Sequence, residues 1–271
     1  MPIMHLANWI EVGRMDDYAR QDTPLHRLDA RVKAVTTLAC IVAVMSFPRY
    51  EVSALMPFLF YPMALTGMGR IPFGFILKKI IVASPFALAI AIFNPVFDRE
   101  AAFMIGPVAV SGGWLSFTSI MLRFVLTVWA ALALAACTGM FRMCAGLERL
   151  GLPRIFAGQL LFLYRYLFVV VDEGARMKRA LELRSGAIVP VSLRVYGALV
   201  GHLLLRSMGR SERIHRAMVA RGFSGGMRVL RETALRPADW AFLLGWSAFF
   251  AAARAWNIPA LIGNLVTGVA P

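Results

Sequence analysis

Ten residues recur with changes inside a strongly basic stretch. Arg176-Met177-Lys178-Arg179-Ala180-Leu181-Glu182-Leu183-Arg184-Ser185 aligns with Arg213-Ile214-His215-Arg216-Ala217-Met218-Val219-Ala220-Arg221-Gly222, four of the ten positions being identical. On a helix, Met177, Leu181 and Arg184 fall at i, i+4 and i+7, as do Ile214, Met218 and Arg221. Each copy is therefore an apolar ridge ending in an arginine, with a small residue next. An arginine there can hydrogen-bond the last carbonyls of its own helix, or grip a partner's carboxylate through two parallel N–H donors. A favourable interaction with the helix dipole needs no partner at all. The duplication is what favours paired docking elements, and hence two similar partners.

The elements that must present these arginines read as helices. From Asp172 to Leu183 the chain lacks Gly and Pro apart from Gly174, and Ser185-Gly186 followed by Pro190 supplies a stop. A second helix is predicted from about Val191 to Ala220, ending at Gly222 and the Ser224-Gly225-Gly226 turn. Gly197, Gly201 and Gly209 within it predict close packing or a bend.

The rest of the chain is a different material. Of 271 residues, 59% are hydrophobic and 16% charged, with a formal charge of +14. Mean hydropathy is +0.67. Soluble proteins carry roughly a quarter charged residues, so a soluble enzyme, a disordered chain and a nucleic-acid binder are all excluded. Crossing a hydrocarbon core takes ~20 apolar residues. Spans are predicted at Val32–Phe47, Glu51–Met68, Ile71–Phe93, Trp114–Cys137 and Trp240–Trp256. Ile155–Val171 and Val191–Leu205 read as half-embedded or packed between spans. The expectation is an all-α polytopic membrane protein of about five spans plus long cytoplasmic helices. Its predicted parts are 1–138 with four spans, a basic block 139–236, and 237–271 with the last span and tail.

Charge placement gives the predicted orientation. The block from Gly139 to Arg236 holds 17 Lys+Arg against 6 Asp+Glu, a net of +11. Short basic loops face the cytoplasm, so Arg20, Arg27, Arg31 and Lys33 predict an N-terminus inside. The first 30 residues lack the apolar run of a signal peptide. Cys40, Cys137 and Cys144 are read as small buried hydrophobes.

With these residues in place, the chain resembles the transmembrane coupling component of energy-coupling factor transporters, cobalt/nickel type. That family carries two short motifs, typically Ala-Arg-Gly, at the ends of cytoplasmic coupling helices. The second is intact as Ala220-Arg221-Gly222; the first is Leu183-Arg184-Ser185, which keeps only the arginine. Asp22-Thr23-Pro24-Leu25-His26-Arg27-Leu28-Asp29-Ala30-Arg31-Val32-Lys33 and Leu163-Tyr164-Arg165-Tyr166 are similar to the family as well. The resemblance implies that Arg184 and Arg221, supported by Met177, Leu181, Ile214 and Met218, dock into two cytoplasmic ATPase subunits. It implies a separate metal-capturing membrane subunit, and a bacterial or archaeal plasma membrane. ATP and Mg would belong to the ATPases, with no cofactor in this chain.

His5, His26, His202 and His215 form no ligand spacing, so no metal site is predicted here. A hydrolase elbow, a zinc-protease motif and a phosphate loop are all missing from the sequence. The alternative class is an intramembrane enzyme such as a lipid transferase, which would need an acidic or histidine cluster at one membrane face. Asp172-Glu173 reads as a solvated face or a pairing with Arg176. Arg123 sits in a span without an obvious sequence partner. Anionic lipid is a further expected partner of the basic block, and nucleic acid is not.

Overall fold

The computed structural model describes residues 16, 18–48, 52–93, 101–105, 108–185, 192–223 and 235–256. Helices dominate them. They are α1 (Pro24–Arg27), α2 (Ala30–Met45), a 3-10 segment (Ser53–Leu59) running into α3 (Phe60–Met68), and α4 (Phe73–Ala91). A two-stranded antiparallel hairpin follows, β1 (Ala101–Ile105) with β2 (Val108–Ser111). Then come α5 (Gly112–Thr138), α6 (Met140–Arg149), α7 (Arg154–Ser185), α8 (Leu193–Ala220) and α9 (Pro237–Ala255). The chain divides into two compact units: residues 1–146 with 233–271, and residues 147–232.

In the first unit, α5 is the central post. Ala130, Ala133, Ala136 and Cys137 are fully buried along one stripe of it. Small side chains at that spacing let neighbouring backbones approach closely, which is how helices associate where lipid offers no hydrophobic drive. Helices α2, α3 and α4 all pack on α5, and α9 packs on α2. Aromatic rings fill the space beneath α9: Phe58 stacks on Phe250 at 5.7 Å, and Tyr61 meets Trp246 edge-on at 4.9 Å. Some polar side chains of these helices pair with one another. Thr37 and Tyr61 share a hydrogen bond of 2.7 Å, and Trp129 Nε1 donates to Thr66 Oγ1 at 2.9 Å.

The outer surface is inverted relative to a soluble protein. On α2 Leu38 and Val42, on α4 Val82 and Phe86, and on α9 Leu244 are all largely exposed. A soluble monomer does not leave so much contiguous apolar surface in water; lipid is the solvent these side chains fit. Phe73–Ala91, Gly113–Thr138 and Arg154–Arg184 are long and apolar enough to cross a membrane, while Ser53–Met68 is shorter. Helix α2, at 16 residues, rises ~24 Å. The protein is an all-α polytopic membrane protein.

One boundary differs from the sequence reading. Ile155–Val171 and Asp172–Leu183, expected as a half-embedded stretch and a separate helix, form one continuous 32-residue helix, α7. Gly158 and Gly174 do not interrupt it because a glycine in a helix interior costs only about 1 kcal/mol of backbone entropy, which the neighbouring helical turns offset. Of the stretch 191–205, the residues from Leu193 on form the first half of α8, within the helix expected there, while Val191 lies outside the described residues. That helix starts at Leu193 after Ser192 and ends at Ala220.

Candidate functional site at the ends of two long helices

Helix α8 ends in a motif that explains why an arginine and a glycine follow its alanine. Gly222 N–H donates to Val219 O at 2.9 Å, and Phe223 N–H donates to Met218 O at 3.0 Å. These two bonds satisfy carbonyls the helix would otherwise leave orphaned, and they require a left-handed residue one past the cap. Gly222 supplies it at φ +82. Arg221 is thereby the cap residue, on the last rigid position before the chain turns. No atom lies within 4 Å of where a Gly222 Cβ would be, so glycine is required there by backbone conformation, not by space.

The guanidinium this motif presents is exposed. Arg184, one residue before the end of α7, is exposed too, and its neighbour Leu183 is 80% exposed. Among the described residues neither arginine makes an ion pair. The supporting residues sit differently: Met177, Leu181, Ile214 and Met218 are half-buried. Ile214 and Met218 line an open groove of about 660 Å³ with Phe162, Tyr166, Val170 and Leu203. Ala220 is exposed, while the Ser185 side chain and Gly186 lie outside the described residues.

Helices α7 and α8 are antiparallel. Glu173 accepts from Arg206 at 2.8 Å, Leu203 comes within 3.5 Å of a Cβ built on Gly174, and Phe162 meets Phe223 at 6.4 Å. The helices' C-terminal ends therefore point in opposite directions, and Arg184 and Arg221 lie roughly 30–40 Å apart along the hairpin at 1.5 Å per residue. Glu173 spans the helix pair through Arg206 and also lies 3.9 Å from Arg176. Of the acidic pair read from the sequence, Glu173 thus has both partners, the expected intrahelical one and a cross-helix one.

A polar cluster in the first unit went unread in the sequence. Asp239, 2% exposed, accepts from Asp29 N–H at 2.8 Å through one oxygen and from Arg236 N–H at 2.7 Å through the other. One carboxylate thus caps α9 and holds the start of α2. Lys33, 1% exposed, donates to Cys137 O at 3.3 Å. Arg142 donates to His26 O at 2.7 Å, to Thr138 O at 2.9 Å, and to Ala19 O. His26 is buried against Thr23, 2.6 Å away. Burial, with the positive charges of Lys33 and Arg142, holds its pKa below the ordinary 6.5. The available signal was an aspartate three residues after the Arg236-Pro237 helix start, a capping pattern.

Arg123 also finds partners that no linear pattern shows. Its Nη2 donates to Phe47 O at 3.1 Å and Pro48 O at 2.6 Å. From α9, Arg254 donates to Ser46 Oγ at 3.1 Å and lies over the Phe47 ring at 4.6 Å. Two arginines thus satisfy the C-terminal end of α2. Among the described residues no group of three His, Cys, Asp or Glu side chains could hold a metal.

An inside-out helical bundle, joined in sequence to a basic helical hairpin with an exposed arginine at each end, defines a multi-pass membrane protein. The particular family follows from comparison: residues 21–232 match the family described as CbiQ, cobalt transport protein, and the chain belongs to it. An energy-coupling factor transporter transmembrane protein EcfT of Heliobacterium modesticaldum is 26% identical over 264 residues, 90% of this chain and 97% of that protein. A cobalt transport protein CbiQ of Salmonella typhimurium is 28% identical over 153 residues, 53% of this chain and 64% of that one. An uncharacterized Methanocaldococcus jannaschii protein, MJ1089, is 29% identical over 110 residues, 40% of this chain and 41% of its own length.

Proposed function

We propose that this chain is the non-catalytic membrane subunit of an energy-coupling factor importer for cobalt or nickel ions. The observation that carries the reading is the pair of exposed arginines, neither in an ion pair among the described residues, at opposite ends of one antiparallel hairpin. A separation of roughly 30–40 Å is about the diameter of a small domain, so two globular subunits can each take one arginine. The EcfT and CbiQ relatives support this assembly by their names.

In this reading Arg184 and Arg221 each enter an acidic groove on one of two cytoplasmic ATPases. ATP and Mg are bound there, and this chain hydrolyses nothing. When the ATPases move together or apart, α7 and α8 are pulled at opposite ends. The half-buried ridges Met177–Leu181 and Ile214–Met218 transmit that motion, and a separate membrane subunit reorients to release its ion. The N-terminus then faces the cytoplasm, as its basic residues require.

Changing both arginines to alanine tests the proposal. Removing one partner of a desolvated charge pair costs roughly 2–5 kcal/mol, so the double variant should insert normally but lose ATPase co-purification and metal uptake. Full assembly and wild-type uptake in the double variant would overturn it.

A further inference from the structure

The chain leaves the first unit after Gly146 and re-enters it at Thr233. These two connections, far apart in sequence, meet on the same turn of helix. On the outgoing side, Gly146 of α6 is buried, and a Cβ there would stand 3.1 Å from Ala30 Cβ and 3.2 Å from Arg31 N. A residue without a side chain lets the α6 backbone lie directly against the first turn of α2. On the returning side, the buried Asp239 carboxylate accepts from Arg236 N–H at 2.7 Å and from Asp29 N–H at 2.8 Å, one through each oxygen. A carboxylate bridging two backbone donors fixes both in distance and direction.

Asp29, Ala30 and Arg31 are consecutive, so both chain connections to the second unit are fastened at one place in the first. That place is braced from behind. Asp29 caps α2 by accepting from Arg31 N–H at 2.8 Å, and its carboxylate pairs with the Arg31 guanidinium at 3.1 Å. One turn further along α2, Lys33 reaches the Cys137 carbonyl of α5, and Arg142 of α6 ties Thr138 O to His26 O. A close-packed interior transmits a displacement instead of absorbing it. A pull on α6 or on the start of α9 is therefore delivered to α2 and α5 together.

We infer that Asp29–Arg31, the cap and first turn of α2, is the joint through which motion of the second unit enters the membrane bundle, and that Gly146 and Asp239 are positioning residues that keep both connections closed on it throughout transport. This rests on the coupling function proposed above and adds where its motion is received, through residues other than Arg184, Arg221 and their supporting ridges.

The test uses the whole transporter complex in proteoliposomes, with ATP hydrolysis and uptake of cobalt and of nickel measured on the same preparation. Asp239→Ala and Gly146→Leu each loosen one connection. Both variants should retain the ATPases at the unaltered ratio and go on hydrolysing ATP, while metal moved per ATP falls about tenfold, within the range of coupling between sites. Uptake and hydrolysis falling together, in proportion to lost complex, would make the two residues merely structural and overturn the inference. An unchanged ratio of uptake to hydrolysis would overturn it as well.

A reversible crosslink tests whether the joint stays closed. Ala30→Cys with Gly146→Cys, in a chain whose native cysteines are replaced by alanine, brings two Cβ atoms near the ~3.8 Å of a disulfide. Uptake with the bond formed should equal or exceed uptake after its reduction. Uptake blocked by the bond and restored by reductant would show that the joint opens during transport, and would overturn the inference. If the unaltered chain retained no ATPases, the coupling function itself would fall. If it retained them and the variants still coupled normally, only the joint would.

Discussion

At the residue scale, the buried polar end of the first unit makes the most direct predictions. His26 is buried with a pKa held below 6.5, first by burial and then by the charges of Lys33 and Arg142. The folded state therefore favours the neutral ring, and the unfolded state takes up the proton first as pH falls. Its contribution to stability is complete above the unfolded value and is lost as pH drops through the lower folded value. Thermal stability in detergent should fall as pH drops below the ordinary histidine value of 6.5, and His26→Gln should flatten that dependence. Equal slopes in the two proteins would remove His26 as the cause. Asp239 carries a second prediction. Asp239→Ala leaves two backbone N–H groups without their charged acceptor, worth roughly 1.5–3 kcal/mol each, and a thermal scan should show a lower melting temperature.

At the element scale, helix termini decide where functional side chains stand. Three helix ends share one hydrogen-bond pattern, but with different residues in the left-handed position: Gly151, Gly222 and Arg70, the last at φ +49. Arg70 N–H donates to Gly67 O and Ile71 N–H to Thr66 O, as at the end of α8. A non-glycine residue there costs about 1–2 kcal/mol, so Arg70→Gly should raise the melting temperature. The same logic reverses at the end of α8: Gly222→Ala should destabilise the cap by a similar amount and disorder the position of Arg221. Weaker ATPase retention with normal membrane insertion would report it. This is also why the first motif differs in kind: Leu183-Arg184-Ser185 places its arginine inside the last helical turn, whereas Arg221 stands at the cap itself.

At the scale of the molecule, the two units solve opposite solvation problems. In the first, small residues of α5 and aromatic rings beneath α9 form the interior, and apolar side chains face outward to lipid. Its two ends are closed by polar devices: Asp239, Lys33 and Arg142 at the start of α2, Arg123 and Arg254 at its finish. These devices tie helix ends to side chains of neighbouring elements, which spares backbone groups from depending on water. The second unit has little core; α8 has no buried residue. An isolated hairpin with so little burial is marginal, so its stability should rise on contact with lipid or partners. Hydrogen exchange along α7 and α8 should slow on adding ATPases or anionic vesicles, and unchanged exchange with both would count against either role.

The sequence by itself determined the material and the motif. Composition required a membrane protein, apolar runs located its helices, and the ten-residue repeat singled out Arg184 and Arg221. These are local properties: hydropathy, periodicity and the glycine a helix end needs are all written in adjacent residues. Where α8 stops was legible because Ala220-Arg221-Gly222 encodes its own cap. Only the tertiary structure paired Asp29 with Asp239, Arg123 with Phe47 and Pro48, and the charged half of α8 with the apolar half of α7. Those pairings join residues 75 to 210 positions apart or set the register of two helices. No spacing rule reaches that far, since they depend on which helix faces lie together once the chain is packed.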